Sequence, residues 1–111
     1  MRESKEFILQ KDIITEPVGE GVTRQILGYN DELMLVKVFF EKGGVGDMHS
    51  HPHVQSSYVE SGRFEVTIDG KKQELAKGDG FYVPSGATHG LTCLEKGAVI
   101  DAFSPARKDF I

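Results

Sequence analysis

No helical period in this chain lasts beyond a turn or two; short strand-like runs alternate with turn signals. Met34 to Phe40 is rich in Val, Leu and Phe and stops at Gly43-Gly44. Ser57 to Glu60 stops at Ser61-Gly62, and Arg63 to Ile68 alternates polar and apolar strictly before Asp69-Gly70, a strong hairpin signal. Lys72 to Leu75, Phe81 to Val83, His89 to Leu94 and Ala98 to Phe103 continue the series, each bounded by turn residues or a charged break. Fainter runs lie at Phe7 to Leu9, Asp12 to Thr15 and Arg24 to Leu27. About eight short strands at this spacing predict an all-β sandwich or barrel. Phe64, Val66, Ile68 and Leu75 are its expected core. Ser104 to Ile111, with Pro105 and mixed charge, is expected to leave the barrel.

Size and charge narrow the classes. A chain of 111 residues predicts one domain over 1–111, because two would each sit near the lower limit for independent folding. Its formal charge of −4 disfavours nucleic acid as a partner. The longest apolar runs fall far short of a membrane span, and no signal-peptide core follows the polar N-terminus. One cysteine, Cys93, excludes an internal disulfide. A soluble cytoplasmic protein is the expectation.

Chemistry concentrates in two places. His49, His51, His53 and Gln55 occupy alternate positions, so in an extended segment they share a face. The fourth histidine, His89, follows Pro84-Ser85-Gly86. Imidazole suits Zn, Cu, Fe and Ni, and an amide oxygen is a weaker, harder ligand. Three imidazoles and one amide leave a metal's charge uncompensated, ready for an anionic substrate. Taken alone, the pattern fits exposed loop or edge-strand histidines beside Pro52 equally well.

These residues resemble the cupin superfamily. Its first motif, G-x5-H-x-H-x3,4-E-x6-G, matches Gly43, His49, His51, Gln55 and Gly62; its second, G-x5-P-x-G-x2-H-x3-N, matches Gly78, Pro84, Gly86 and His89. Gln55 stands where Glu is usual, and Cys93 where Asn is common. The motifs span 43–62 and 78–93. The resemblance implies a single-domain jelly-roll antiparallel β-barrel holding one divalent transition metal (Zn, Ni, Fe or Mn) on His49, His51, Gln55 and His89. His53 is left over, as a substrate neighbour or a bystander. Gly62 and Gly86 are expected at positive φ, and Asp79 to close a turn with its carboxylate.

A narrower likeness lies in Asp101-Ala102-Phe103-Ser104-Pro105-Ala106-Arg107-Lys108-Asp109-Phe110. With the histidine stretch, this segment resembles the small pectin-degradation cupins that convert 4,5-unsaturated uronate monosaccharides to linear 5-keto-4-deoxyuronate. Val54 departs from their usual acidic residue. The likeness implies Asp101 as the acid/base, Arg107 on the substrate carboxylate and Phe103 packed on the sugar. Asp101 alternates with Val99 and Phe103, so it shares a face with apolar side chains, where burial would raise its pKa. The rival readings are an iron-dependent cupin dioxygenase, a non-enzymatic sugar- or ligand-binding cupin, and a lyase or cyclase cupin acting on another anion. A homodimer is also implied, with Phe7 to Thr15 crossing to the partner.

Overall fold

Two long strands frame the molecule. The computed structural model describes residues 2–111, with strands β1 (Thr15–Gly19), β2 (Val22–Tyr29), β3 (Met34–Phe40), β4 (Val45–His49), β5 (Val54–Ile68), β6 (Lys71–Ala76), β7 (Gly80–Val83) and β8 (His89–Ser104). All pairings are antiparallel. β5 and β8 each serve two sheets. The first half of β5 and the second half of β8 lie between β7 and β3, and β2 and β1 follow. The second half of β5 and the first half of β8 lie between β6 and β4. This is the jelly-roll arrangement. The hydrogen-bonded path runs β1-β2-β3-β8-β5-β6 without returning on itself, so the expected closed barrel is instead an open pair of sheets.

The expected turn at Ser61-Gly62 and the break between Leu94 and Ala98 are absent, because β5 and β8 run through both places. What the sequence presents as breaks are the bends that carry each strand from one sheet to the other. The β5–β8 register shifts between Val59 and Phe64, as a bulge demands. There Gly62 takes φ +83°; a Cβ on it would stand 2.5 Å from the Glu95 carbonyl oxygen, and one on Gly97 would overlap the Ser61 carbonyl. Only two glycines let the backbones cross this closely.

The other turns follow their chemistry. Asp69 and Gly70 both take positive φ, as the two-residue hairpin between β5 and β6 requires. The Asp79 carboxylate accepts the Ala76 amide at 2.8 Å. Gly86 takes φ +80°, as expected. Of the fainter runs, Arg24 to Leu27 lies inside β2, Phe7 to Leu9 forms no strand, and of Asp12 to Thr15 only Thr15 is in a strand, as the first residue of β1.

Both sheets turn apolar side chains inward. Phe40, Val59, Phe64, Val66, Cys93 and Val99 form one buried cluster, with Ile68 and Leu75 packed against it. Met34, Val36, Phe103 and Ala106 form a second, closed by Phe110 and Ile111. The C-terminal segment therefore does not leave the fold. It turns back through a 3-10 turn, Lys108–Phe110, and covers one end of the core, where Ala106 is buried and Phe110 packs partly buried against the cluster. No helix among the described residues is long and apolar enough to cross a membrane.

Gly97→Ala is expected to cost at least about 2 kcal/mol in urea unfolding, since the new methyl overlaps backbone that cannot yield. Gly46→Ala, whose Cβ would meet only the Leu91 side chain at 3.6 Å, should cost less. Equal losses would contradict the crossing as the tight point.

Candidate functional site

The histidine stretch is not one strand. β4 ends at His49, the chain turns through Ser50 to His53, and β5 begins at Val54. Pro52 interrupts the extended run, so the alternation that placed four side chains on one face does not hold through it. His49 is the exposed member, while His51 and Gln55 are buried. His89 starts β8 directly opposite His49. The two motif loops are tied together: the Gly86 amide donates to the His51 carbonyl at 2.9 Å, and the Ser85 hydroxyl to the Pro52 carbonyl at 2.6 Å.

A nitrogen from each of His49, His51 and His89 lies within 4.8 Å of the others. In every ring Nδ1 faces a carbonyl two residues away in sequence: His49 to Asp47 at 2.7 Å, His51 to His53 at 3.0 Å and His89 to Ala87 at 3.0 Å. A carbonyl only accepts, so Nδ1 carries the proton and Nε2 presents a lone pair. Burial, aided by the Arg107 charge, holds His51 below its ordinary pKa; burial does the same for His89. Both are thus neutral near pH 7.

The Gln55 amide has a fixed sense. Its nitrogen donates to the Ser57 hydroxyl oxygen at 3.0 Å and to Asp101 at 3.3 Å. Its oxygen is therefore turned to His51 Nε2, 3.1 Å away. With Nδ1 protonated, that contact sets acceptor against acceptor, and the buried Nε2 of His89 has no partner among the described residues. Neighbouring lone pairs with no proton between them are what a cation needs. The donor set of three imidazoles and one amide oxygen suits a divalent transition metal. By this test the residues present fit such an ion.

Asp101 sits behind Gln55. The β5–β8 register sets it opposite Ser57, whose hydroxyl donates to its carboxylate at 2.5 Å. Burial pushes its pKa up to about 6, against the opposing pull of the Ser57 and Gln55 hydrogen bonds and the Arg107 charge. Val99 and Phe103 share its inward face, as the alternation predicts. The Phe103 ring is core and cavity wall together, 5.8 Å from the His51 ring.

Arg107 lies just beyond β8 and is drawn inward. Its guanidinium donates to Asp109 at 2.9 and 3.1 Å and lies over the rings of Phe110 and Phe103 at 4.3 and 5.2 Å. Gln55, His49, His89, Asp101, Phe103 and Arg107 all line one cavity of about 220 Å³. His53 does not line the cavity; its ring lies 5.4 Å from the His51 ring, and its buried Nδ1 has no partner among the described residues. Tyr58 and Tyr82 point outward into solvent.

Two residues of the site escaped the sequence reading: Ser57, which bonds Asp101, and Arg24, which lines the cavity. Ser57 alternates between inward Gln55 and Val59, and Arg24 between inward Val22 and Ile26. Polar residues in apolar registers were the available signal.

A fold of this topology, with its imidazoles gathered from two glycine-bounded motifs, is that of a cupin. The cupin domain profile matches residues 36–100, and the chain belongs to the cupin family. Over nearly its whole length it is similar to the pectin degradation protein KdgF of Dickeya dadantii, at 40% identity across 96% of this chain and 99% of that one. The structure of KdgF from a Halomonas species superposes with TM-score 0.92 at 38% identity, covering 97% of this chain and 100% of the other. The crystal structure of an RmlC-like cupin from Shewanella frigidimarina superposes with TM-score 0.97 at 46% identity, each chain wholly covered.

The raised pKa of Asp101 has a stability consequence with a definite sign. The carboxyl stays protonated in the fold up to about pH 6, but ionises near 3.8 in the unfolded chain. Its stabilising contribution is thus complete below 3.8 and is lost as pH rises to 6, by up to about 3 kcal/mol. The lowered histidines act oppositely, losing stability below pH 6.5. Comparing Asp101→Asn with wild type, both metal-free, isolates the carboxyl. The variant's melting temperature relative to wild type should climb between pH 4 and 6.5; a difference independent of pH would contradict the buried protonated acid.

Proposed function

We propose that this protein converts 4,5-unsaturated uronate monosaccharides to linear 5-keto-4-deoxyuronate during polyuronate breakdown, using one divalent metal. The observation that carries this reading is that one cavity gathers an imidazole cluster, a protonatable buried carboxyl and a guanidinium. The near full-length likeness to proteins named for pectin degradation supports the choice of substrate.

The substrate is a cyclic hemiacetal with a C4=C5 enol ether and a carboxylate at C6. Opening breaks the bond between C1 and the ring oxygen. The C1 hydroxyl gives up its proton, C1 becomes an aldehyde, and the ring oxygen takes a proton to become the C5 enol. Ketonisation removes the enol proton and adds one to C4. Atoms and charge balance without oxidant. Asp101, with a pKa raised to about 6, accepts and returns these protons. Ser57 and Gln55 hold its carboxyl oxygen in place. Arg107 takes the substrate carboxylate in a two-point hydrogen bond, and Phe103 packs on the sugar. His49, His51, His89 and Gln55 would hold the metal (Zn, Ni, Fe or Mn), whose chemistry is Lewis-acid polarisation of substrate oxygens.

A homodimer goes with this reading. Phe7 and Ile14 are 83% and 80% exposed on an N-terminal arm without strand partners, and a second copy of the chain would cover them. Light scattering should give twice the chain mass.

The test is loss of ultraviolet absorbance from the conjugated C4=C5 bond of a purified unsaturated uronate. Accelerated, chelator-sensitive loss is expected, with no oxygen uptake. Asp101→Asn should lower the rate at least 100-fold. No acceleration over the spontaneous reaction by metal-loaded protein would overturn the assignment, and oxygen uptake would favour the dioxygenase reading.

A further inference from the structure

Arg24 is the charged residue whose inward placement the mechanism leaves unexplained. It lies on the inner face of β2 between Val22 and Ile26, and pairs across the sheet with Val38, which in turn pairs with Val99. On its β3 and β8 side that row is apolar; on its outer side Arg24 pairs with Glu16 of β1. The Arg24 side chain is only 19% exposed, and Arg107, which lines the same cavity, is 12% exposed. Both guanidinium carbons lie over the ring of Phe110, at 3.8 and 4.3 Å from its centre. Each guanidinium has one carboxylate at its outer edge: Glu16 accepts from Arg24 Nε at 2.6 Å, and Asp109 holds Arg107. No protein acceptor among the described residues takes the Nη groups of Arg24.

A purely structural origin explains this poorly. An apolar side chain would fill the row without the desolvation that a guanidinium incurs there, and replacing an ion pair by packed apolar groups is often neutral or stabilising. What an apolar residue cannot do is present free N–H donors to an anion entering the cavity. The Phe110 ring and Glu16 fix the orientation of the guanidinium beforehand, so little freedom is lost on binding.

We propose that Arg24 is a second substrate-anion residue, which together with Arg107 selects a carboxylated sugar over a neutral one. This rests on the uronate reading of the site, and it makes the Arg24-Phe110-Arg107 stack the specificity device. Arg24 sets substrate affinity, and the proton transfers at Asp101 do not depend on it.

The test uses the full metal-loaded chain and two probes in calorimetry: galacturonate, a saturated uronate that is not consumed, and neutral galactose. Arg24→Gln should weaken galacturonate binding about 10- to 100-fold and leave galactose unchanged. On the unsaturated uronate it should raise KM by a similar factor, with kcat within about threefold. Arg24→Lys keeps the charge without the fork and should fall between. Should Arg24→Gln fail to fold, Glu16→Gln decides: its amide oxygen can still accept from Arg24 Nε and keep the orientation while the competing negative charge is gone, so tighter galacturonate binding is expected, and unchanged or weaker binding overturns the proposal. A folded Arg24→Gln protein with wild-type affinity and KM also overturns it, as does a wild-type protein that does not bind galacturonate. The underlying reading fails separately: Arg24-dependent galacturonate binding without turnover of the unsaturated sugar would sink the isomerase assignment and keep the anion site.

Discussion

The antiparallel pairing of β5 with β8 is the constraint on which the rest depends. It sets Ser57 opposite Asp101 and Gln55 opposite Phe103, and it runs far enough to place His89 opposite Ile68. A slip of one residue would turn every one of these side chains to the other face. The bulge at Gly62 and the close approach of Gly97 hold that register, and they also bend both strands from one sheet into the other. One packing feature therefore makes the two-sheet fold and aligns the site.

The site divides the core. Val99 belongs to one apolar cluster and Phe103 to the other, and Asp101 stands between them on the same strand. Polar groups in such a place must be satisfied or they destabilise the fold. Each imidazole of the three-histidine cluster gives its Nδ1 proton to a nearby carbonyl, and the Gln55 amide gives its protons to Ser57 and Asp101. After these bonds, what remains facing inward is a set of lone pairs: His89 Nε2 is unpartnered, and His51 Nε2 meets the Gln55 oxygen. The amide of Gln55 thus joins the cation site to the acid. A glutamate there would bring negative charge beside Asp101 and could not donate to it while ionised. The usual motif residue and the one found here would set different charge balances at the same position.

The strands β3, β6 and β7 and the hairpin at Asp69-Gly70 were legible from alternation and turn chemistry, and the gathering of His49, His51 and His89 from motif spacing. The continuity of β5 and β8 was not. Glycine is the residue of both a turn and a bulge, and only the pairing partner decides between them. The C-terminal segment reads as a departing tail because its charges dominate, yet Ala106 and Phe110 carry it back over the core. Its return is what brings Arg107 into the cavity. Arg24 and Ser57 sit beside polar neighbours (Thr23 and Gln25, and Ser56), so each reads as a solvent-facing position until the strand register is known. β1 and β4 are short and carry few apolar residues, so their pattern is weak.

The most direct test of this account is metal stoichiometry, since its central claim is that residues of both motifs converge on one ion beside a carboxyl that is not a ligand. Apoprotein titrated with a divalent transition metal and then desalted should retain one ion per chain by elemental analysis. His51→Ala and His89→Ala should retain much less, and Asp101→Asn should match wild type. Full retention after either histidine is removed, or loss of the ion in Asp101→Asn, would contradict the centre described here.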